Sequence, residues 1–149
     1  MSVELTPRGT RGAKVPKLPQ PLMKLLLPIG NTLLRLRGAK LLELTTTGAR
    51  SGAPRTVTLG WFPDGEDAWL VVASYAGAAQ HPAWYVNMAK HPDQVWITVG
   101  GRKIHVRPES LKGAERAEAW RRIVAQAPGY AGYETKTDRE IPVVRLRAA

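Results

Sequence analysis

The sequence contains no cysteine and only three histidines among its 149 residues. Without cysteine the chain cannot form a disulfide, a thiolate metal site or a cysteine nucleophile, which suits a reducing compartment such as the cytoplasm. The histidines, His81, His91 and His105, do not occur at the short helical spacing that zinc sites favour. We therefore predict that the protein holds no metal.

Long apolar runs are also missing. The most apolar stretch, residues 22–36, is interrupted by Pro28 and Gly30 and is too short to span a bilayer. No small-residue cleavage site follows it, so a secretory signal peptide is not expected. The predicted strands lack the basic and aromatic residues on one face that stack nucleic-acid bases, so no nucleic-acid partner is expected.

Positive charge, in contrast, is abundant. The chain has 22 basic and 12 acidic residues, which give a formal net charge of +10 at pH 7. Eight of the basic residues fall within residues 1–40, where Glu4 is the sole acidic residue. The rest of the chain is therefore only mildly basic, and the charge as a whole favours an anionic partner.

The sequence divides into three parts. Residues 1–21 combine four prolines with glycines and basic residues, and we expect a flexible basic tail there. Residues 22–39 carry an apolar stripe typical of an amphipathic helix. This helix either packs on the domain or on a second subunit, as in a homodimer, or it makes a peripheral contact with the inner face of the plasma membrane. Residues 40–149 form the folded domain.

The pattern of residues 40–149 predicts short strands and two helices. Runs with a period of two indicate an antiparallel meander through residues 41–75, with the apolar run 68–75 as a central strand. A helix is predicted after Pro82, a hairpin turn at Gly100 and Gly101, a helix at 111–126 and a last strand after Ile141. The result is an α+β domain that is mainly β, with an antiparallel sheet curled into a small barrel.

The segment LTTTGARSGAPRTVTL, residues 44–59, reverses direction through more special residues than a hairpin requires. Gly48 and Gly52 allow the chain to present consecutive backbone N–H groups to one point, which creates an anion-binding concavity. Arg50 and Arg55 flank this turn, and arginine binds phosphate or carboxylate through paired hydrogen bonds. Ser51 adds a hydroxyl donor. The segment is a candidate anion site, and an ordinary structural turn is the alternative.

Two further segments offer a place for a flat ring. In VVASYAGAAQHPAWYVNM, residues 71–88, a strand ends in small residues that let a ring approach the backbone, and a helix begins directly afterwards. In PGYAGYETKTDREIPVVRL, residues 128–146, Tyr130 and Tyr133 would face one way on a helix, and the charged pair Asp138 and Arg139 follows.

In this order and spacing, the segments LLELTTTGARSGAPRTVTL, VVASYAGAAQHPAWYVNM and PGYAGYETKTDREIPVVRL resemble the deazaflavin (coenzyme F420)-dependent nitroreductase family of actinobacteria. The resemblance covers roughly residues 40–147. It implies a split β-barrel related to the flavin mononucleotide (FMN)-binding oxidoreductases, and an enzyme that uses reduced coenzyme F420 as a hydride donor. FMN is the less favoured cofactor.

The resemblance also implies which residues form the site. The turn would hold the phosphate and the oligoglutamate tail of the cofactor, and the second segment would contact its ring. Ser74, Tyr130 and Tyr133 would orient the acceptor and stabilise negative charge that develops on it. The implied cofactor-binding residues are Gly48, Arg50, Ser51, Gly52, Pro54, Arg55, Thr56, Val57, Thr58, Leu59, Val71, Val72, Ala73, Ser74, Gly77, Ala78, Ala79, Gln80, His81, Pro82, Trp84 and Asn87.

The sequence departs from the family pattern at four positions, one of which is Ala76 in place of a common glycine. Ala49 and Tyr75 stand where family members commonly carry basic residues, which would weaken the anchoring of the tail. Gly60 stands where well-known members have a tyrosine, which would widen the acceptor pocket. The expected acceptor is a small lipophilic molecule: a quinone, an enone or other activated alkene, or a nitroaromatic.

Two other functions remain open at this stage. The protein could be a non-catalytic carrier of F420, FMN or haem, because related barrels bind those ligands too. It could instead be a peripheral membrane adaptor that acts through its basic N-terminal arm. Turnover of an acceptor would distinguish an enzyme from a carrier.

Overall fold

The computed structural model describes residues 3–14, 21, 22, 26, 29 and 40–149. Residues 40–149 contain seven strands, three α-helices and a 3₁₀ turn at Tyr75–Gly77. The strands are β1 (Leu41–Thr47), β2 (Pro54–Gly60), β3 (Phe62–Pro63), β4 (Ala68–Val72), β5 (Trp96–Val99), β6 (Arg102–Ser110) and β7 (Val143–Ala148). The helices are α1 (Ala83–Lys90), α2 (Gly113–Gln126) and α3 (Gly129–Lys136).

The strands form one antiparallel sheet in the order β2-β1-β5-β6-β7-β4-β3. Strand β6 bends the sheet, because residues 102–105 pair with β5 and residues 106–110 pair with β7. Strand β2 also contacts β4 across the open side, so the sheet curls towards a barrel. The predicted class, α+β and mainly β with a curled antiparallel sheet, is confirmed.

The predicted meander through residues 41–75 is wrong. Strand β2 lies at one end of the sheet and β3 with β4 at the other, because β4 pairs along its whole length with the C-terminal strand β7. The structure also has more elements than predicted, since it adds the two-residue strand β3 and the helix α3.

Strand β4 is not a central strand, although its sequence is almost continuously apolar. It lies next to the two-residue edge strand β3. Its two faces belong to different cores: Leu70 packs with Trp120 and Ile123 of α2, whereas Val71 packs with Met88 and other residues of α1. Burial on both faces, rather than a central position, explains the apolar run.

Residues 3–14 lie against the domain without regular secondary structure, and we call this segment the N-terminal strap. The backbone N–H of Gly9 donates to the carbonyl of Ala79 at 2.7 Å, and that of Ala13 donates to the carbonyl of Gly77 at 3.0 Å. These residues belong to the part of the sequence in which we expected a flexible tail. The strap therefore covers the loop between β4 and α1.

Most of the predicted helix at residues 22–39 lies outside the described residues. Leu22, Leu26 and Ile29, which are described, are exposed. No helix in the part of the chain that the structure describes is long and apolar enough to cross a membrane. The expected peripheral membrane contact finds no support in these residues.

Candidate functional site

A cleft of about 1040 Å³ opens where β2 faces the end of β4. Small-molecule sites commonly measure about 300–1,000 Å³, so this cleft can take an extended ligand. Its walls come from the turn between β1 and β2, from β2, from the loop after β4, from the start of α1 and from α3. The lining residues are Thr46, Gly48, Ala49, Arg50, Ser51, Arg55, Thr56, Val57, Thr58, Leu59, Gly60, Val72, Ser74, Tyr75, Ala76, Pro82, Ala83, Trp84, Val86, Asn87 and Tyr130.

The turn between β1 and β2 depends on its two glycines. The N–H of Gly48 donates to the carbonyl of Ala53 at 2.8 Å, and the N–H of Gly52 donates to the carbonyl of Gly48 at 2.9 Å. Gly52 has a φ of 71°, a left-handed conformation that favours glycine. A Cβ atom on Gly48 would lie 2.5 Å from the hydroxyl oxygen of Ser51 and 3.3 Å from the carbonyl oxygen of Ala53, so a larger residue would displace the Ser51 side chain and crowd the Ala53 carbonyl.

The same turn leaves donors available to a ligand. Among the described residues, no hydrogen bond uses the backbone N–H of Arg50 or Ser51. The side chains of Arg50 and Arg55 are exposed at the cleft and form no ion pair within the described part of the chain. We call Arg50, Ser51 and Arg55 the basic end of the cleft. Two free amides and two guanidinium groups suit a phosphate or carboxylate.

Asn87 of α1 fixes this turn from behind. Its Oδ1 accepts the backbone N–H of Ala49 at 2.9 Å, and its Nδ2 donates to the hydroxyl oxygen of Thr46 at 3.3 Å. Asn87 is 7% exposed and Thr46 is 2% exposed, so both polar groups need these partners. Asn87 therefore controls the shape of the turn.

The loop after β4 has a strained backbone. Tyr75 and Ala76 have φ values of 43° and 54°, and Gly77 follows at 80°. The left-handed conformation costs a non-glycine residue about 1–2 kcal/mol, so surrounding contacts must hold it. Ser74, Tyr75 and Ala76 all line the cleft. The backbone of this loop is thus shaped at the point where a ligand would touch it.

Arg139 supplies contacts that hold this loop. It is 6% exposed, and its guanidinium donates to the carbonyl oxygens of Ala73 at 3.0 Å, Ser74 at 2.7 Å and Ala78 at 2.8 Å. Burial lowers the pKa of Arg139. The group nevertheless stays cationic at neutral pH, because the ordinary pKa of arginine lies far above that range.

His81 connects Arg139 to the strap. Its Nε2 donates to the carbonyl of Thr6 at 2.7 Å, and its Nδ1 accepts from Nη1 of Arg139 at 3.3 Å, which requires the neutral ring. Burial lowers the pKa of His81, and the charge of Arg139 lowers it further. His81 does not line the cleft, so it supports the loop from behind.

Two tyrosines stand near the far end of β2. A Cβ atom on Gly60 would lie 3.8 Å from the hydroxyl oxygen of Tyr130, so the two residues face each other. Tyr130 packs edge-to-face on Tyr133, with 5.5 Å between the ring centroids, and on Phe62, at 5.6 Å. Burial raises the pKa of Tyr130, and Tyr133 raises it further, so the phenol keeps its proton. Tyr133 stands beside Tyr130 and does not line the cleft.

Most of the residues that the sequence implied for the site come together in the cleft. They are Gly48, Arg50, Ser51, Arg55, Thr56, Val57, Thr58, Leu59, Val72, Ser74, Pro82, Trp84, Asn87 and Tyr130. The remaining ones lie in the core, in the loop beneath the strap or beside the lining: Gly52, Pro54, Val71, Ala73, Gly77, Ala78, Ala79, Gln80, His81 and Tyr133. The roles assigned to all of these residues stay predictions.

Some lining residues were missing from the expected binding set. They are Thr46, Ala49, Gly60, Tyr75, Ala76, Ala83 and Val86. A periodic signal existed for two of them, since Thr46 shares the inward face of β1 with Leu44, and Val86 lies about one helical turn from Ala83. No group of three or more acidic or histidine side chains among the described residues could hold a metal.

A cleft that is basic at one end and mainly apolar elsewhere, set in a curled antiparallel barrel, suits a protein that binds a ligand with an anionic tail. The amides of Arg50 and Ser51 and the side chains of Arg50 and Arg55, which have no partner within the described part of the chain, fit the phosphate and carboxylates of a deazaflavin cofactor. The fit comes from the chemistry of the donors and from their position in the turn and at the start of β2.

Residues 28–147 match the F420H(2)-dependent quinone reductase family. The chain is 40% identical over 108 residues to the F420H(2)-dependent quinone reductase Rv1261c of Mycobacterium tuberculosis (strain ATCC 25618 / H37Rv). The aligned region covers 70% of this chain and 71% of that relative. The solved structure of an F420-H2 dependent reductase (FDR-A) superposes with a TM-score of 0.64 at 37% identity, over 72% of this chain and 94% of that one. A domain-swapped dimer is similar at a TM-score of 0.65 and 32% identity, over 86% of this chain and 100% of that one.

The chain belongs to the F420H(2)-dependent quinone reductase family. It is an F420-dependent oxidoreductase with a split β-barrel fold, and its cofactor is coenzyme F420. The resemblance drawn from the sequence is thereby confirmed.

Proposed function

We propose that the protein reduces a small lipophilic quinone with reduced F420. The observation that carries the proposal is the layout of the cleft, in which the basic end adjoins a mainly apolar channel along β2 that ends at Gly60 and Tyr130. The match to a quinone reductase family and the similarity to a quinone reductase of M. tuberculosis support a quinone as the acceptor.

In this proposal the protein chiefly binds and orients. Arg50, Arg55 and the free amides of the turn hold the phosphate and carboxylates of the tail. The loop from Ser74 to Ala76 and the start of α1 contact the ring. Bound F420H2 supplies a hydride.

The far end of the cleft would hold the acceptor. Tyr130 keeps its proton and donates a hydrogen bond to the quinone oxygen on which negative charge develops, and the hydroxyl of Ser74 assists in orienting the ring. One hydride and one proton convert a quinone into its hydroquinone, and the proton comes from Tyr130 or from water. The same geometry would accept an enone or a nitroaromatic, which we rank below the quinone.

The oligomeric state is part of the proposal. A similar solved structure is a domain-swapped dimer, which supports a homodimer for this chain. Light scattering coupled to size-exclusion chromatography should give twice the chain mass of 16.3 kDa. A single chain mass at micromolar concentration would contradict the homodimer.

The proposed function is tested by binding and by turnover. We expect F420 to bind more tightly than FMN, with an affinity that falls at high salt, and F420H2 to be oxidised when a naphthoquinone is added. Charge-assisted hydrogen bonds contribute about 1.5–3 kcal/mol each, so the double variant Arg50→Gln/Arg55→Gln should bind F420 more weakly by at least a factor on the order of 100.

The matched control is Arg121→Gln, because the side chain of Arg121 is 75% exposed on α2 and lies outside the cleft. This variant should bind F420 as the parent does. A preference for FMN would overturn the assigned ligand, and F420 binding without oxidation by any quinone would show a carrier instead of an enzyme.

A further inference from the structure

Arg139 is a buried cation without a carboxylate partner among the described residues. Its sequence neighbours have other partners, since the carboxylate of Asp138 binds the strap and Glu140 lies 3.4 Å from Arg116. Burying a cation costs free energy that an ion pair would normally offset. Arg139 instead directs its guanidinium N–H groups to three carbonyls of one loop, which suggests that the shape of this loop matters.

The carbonyls bound by Arg139 determine the direction of two amides. A trans peptide group is planar, and its N–H points opposite to its C=O; the described chain has no cis peptide bond. The carbonyls of Ala73 and Ser74 share peptide groups with the N–H of Ser74 and Tyr75. These N–H groups therefore point away from the guanidinium of Arg139, a residue that does not line the cleft, whereas Ser74 and Tyr75 do line it.

The backbone at this point also makes the amides converge. Ser74 is right-handed, with φ −74° and ψ −37°, and the next residue, Tyr75, is left-handed, with φ 43°. Such a right-left pair forms a concavity of consecutive N–H groups that accepts an anion or a carbonyl oxygen. Among the described residues, no hydrogen bond uses the N–H of Ser74, Tyr75 or Ala76.

We propose that Arg139 is a positioning residue that directs the Ser74 and Tyr75 amides into the cleft, where they bind an electronegative atom of the cofactor ring. The inference rests on the proposed function of the cleft and adds a residue that does not touch the ligand. The cationic group behind the two peptide groups also polarises them, which strengthens their N–H groups as donors. His81 completes the support by binding Arg139 on the strap side.

The test compares Arg139→Lys with Arg116→Lys. A lysine keeps the charge but cannot donate to three separate carbonyls at once. Arg116 is the matched control, because its side chain is 16% exposed and donates to the carbonyl of Ile141, away from the cleft. Two probes are titrated into the full chain: F420, and the deazaflavin chromophore that carries the ribityl chain but no phosphate and no glutamate.

We expect Arg139→Lys to lower the affinity for both probes by the same factor, on the order of tenfold, because the substitution disturbs the part of the cleft that holds the ring. Arg50→Gln should lower the affinity for F420 but not the affinity for the chromophore. Arg116→Lys should leave both affinities unchanged, even if it lowers the melting temperature. Equal affinities of Arg139→Lys and the parent for the chromophore would overturn the inference. If the parent protein binds neither F420 nor the chromophore, the proposed function itself is overturned.

If Arg139→Lys does not fold, amide NMR on the parent protein tests whether the Ser74 and Tyr75 amides bind the chromophore. In amide NMR spectra, the N–H signals of Ser74 and Tyr75 should shift downfield when the chromophore is added, and their exchange with solvent should slow. Bound chromophore with unchanged signals at both amides would refute the inference.

Discussion

The backbone N–H of Ala49 donates to Oδ1 of Asn87 at 2.9 Å, across 38 positions of sequence. This bond joins the glycine turn to helix α1. The two elements are expected to hold opposite parts of one cofactor, its tail and its ring. Their separation is therefore set by a side chain that need not bond the ligand.

Removal of the Asn87 side chain, which we call the Asn87 brace, should affect both the stability of the protein and its binding of F420. Asn87→Ala leaves the Ala49 N–H and the Thr46 hydroxyl without their partner, and each such loss costs about 1–3 kcal/mol of unfolding free energy. The affinity for F420 should fall as well, because the turn is no longer fixed. Urea unfolding and fluorescence titration measure the two effects.

Thr46→Val is the control for this brace, since it removes the 3.3 Å bond and keeps the one to Ala49. It should cost stability but leave F420 affinity near that of the parent. Equal loss of affinity in the two variants would show that the Ala49 bond has no special part in shaping the turn.

The glycine turn should not tolerate a methyl group at Gly48. A Cβ there meets the Ser51 hydroxyl oxygen at 2.5 Å and the Ala53 carbonyl at 3.3 Å, so Gly48→Ala must turn the Ser51 hydroxyl away, which breaks the 3.2 Å hydrogen bond that it accepts from the Ala53 N–H, and must crowd the Ala53 carbonyl. We expect a loss of about 1–3 kcal/mol in unfolding free energy, as in other overpacked sites, and weaker F420 binding. In contrast, Gly132→Ala in α3, where a Cβ meets nothing within 4 Å, should raise stability by about 0.5–1 kcal/mol. If Gly48→Ala and Gly132→Ala change the unfolding free energy in the same direction, the steric argument is contradicted.

Gly60 should set the size of the acceptor. The nearest atoms to a Cβ at this position are 3.8 Å away, so the backbone tolerates a side chain that then fills the cleft beside Tyr130. Gly60→Leu should lower kcat/KM for a naphthoquinone relative to a benzoquinone, on the order of tenfold. F420 affinity measured in parallel should stay unchanged. An equal loss for the two quinones would place the acceptor elsewhere in the cleft.

The turn was predictable from sequence because its requirement is local. Gly48, Gly52 and the arginines between and after them lie within eight residues, and left-handed backbone favours glycine wherever it occurs. The position of β4 was not predictable in the same way. Its apolar run indicates burial on both faces, but it does not indicate that the C-terminal strand β7 will be its neighbour.

The supports of the site were not predictable because they use backbone groups. Arg139 binds carbonyls 61 to 66 positions away, and every residue of the chain has a carbonyl, so no pattern marks the partners. The strap shows the same effect. It belongs to residues 1–21, a proline-rich and basic stretch whose composition is typical of a flexible tail, yet Asp138 holds the strap through amides about which composition carries no information.

The carboxylate of Asp138 should make the docking of the strap depend on pH. It accepts hydrogen bonds from the hydroxyl of Thr10 and from the backbone N–H groups of Thr10 at 2.8 Å and Arg11 at 2.9 Å. These bonds, led by the one from the hydroxyl, lower the pKa of Asp138 from 3.8 to about 2. A lowered pKa means that the docked strap gains stability above pH 3.8 and loses it as the pH falls towards about 2.

The amides of Gly9 and Ala13 report on this docking, because they donate to Ala79 and Gly77 beneath the strap. After correction for intrinsic rates, their hydrogen exchange should accelerate between about pH 4 and about pH 2, before that of the core amide of Val71. Asp138→Asn should produce the same acceleration at neutral pH, since an amide group accepts fewer hydrogen bonds and carries no charge. Asp93→Asn, at an exposed position outside the strap contacts, should not. Protection at Gly9 that survives both acid and Asp138→Asn would mean that Asp138 does not hold the strap.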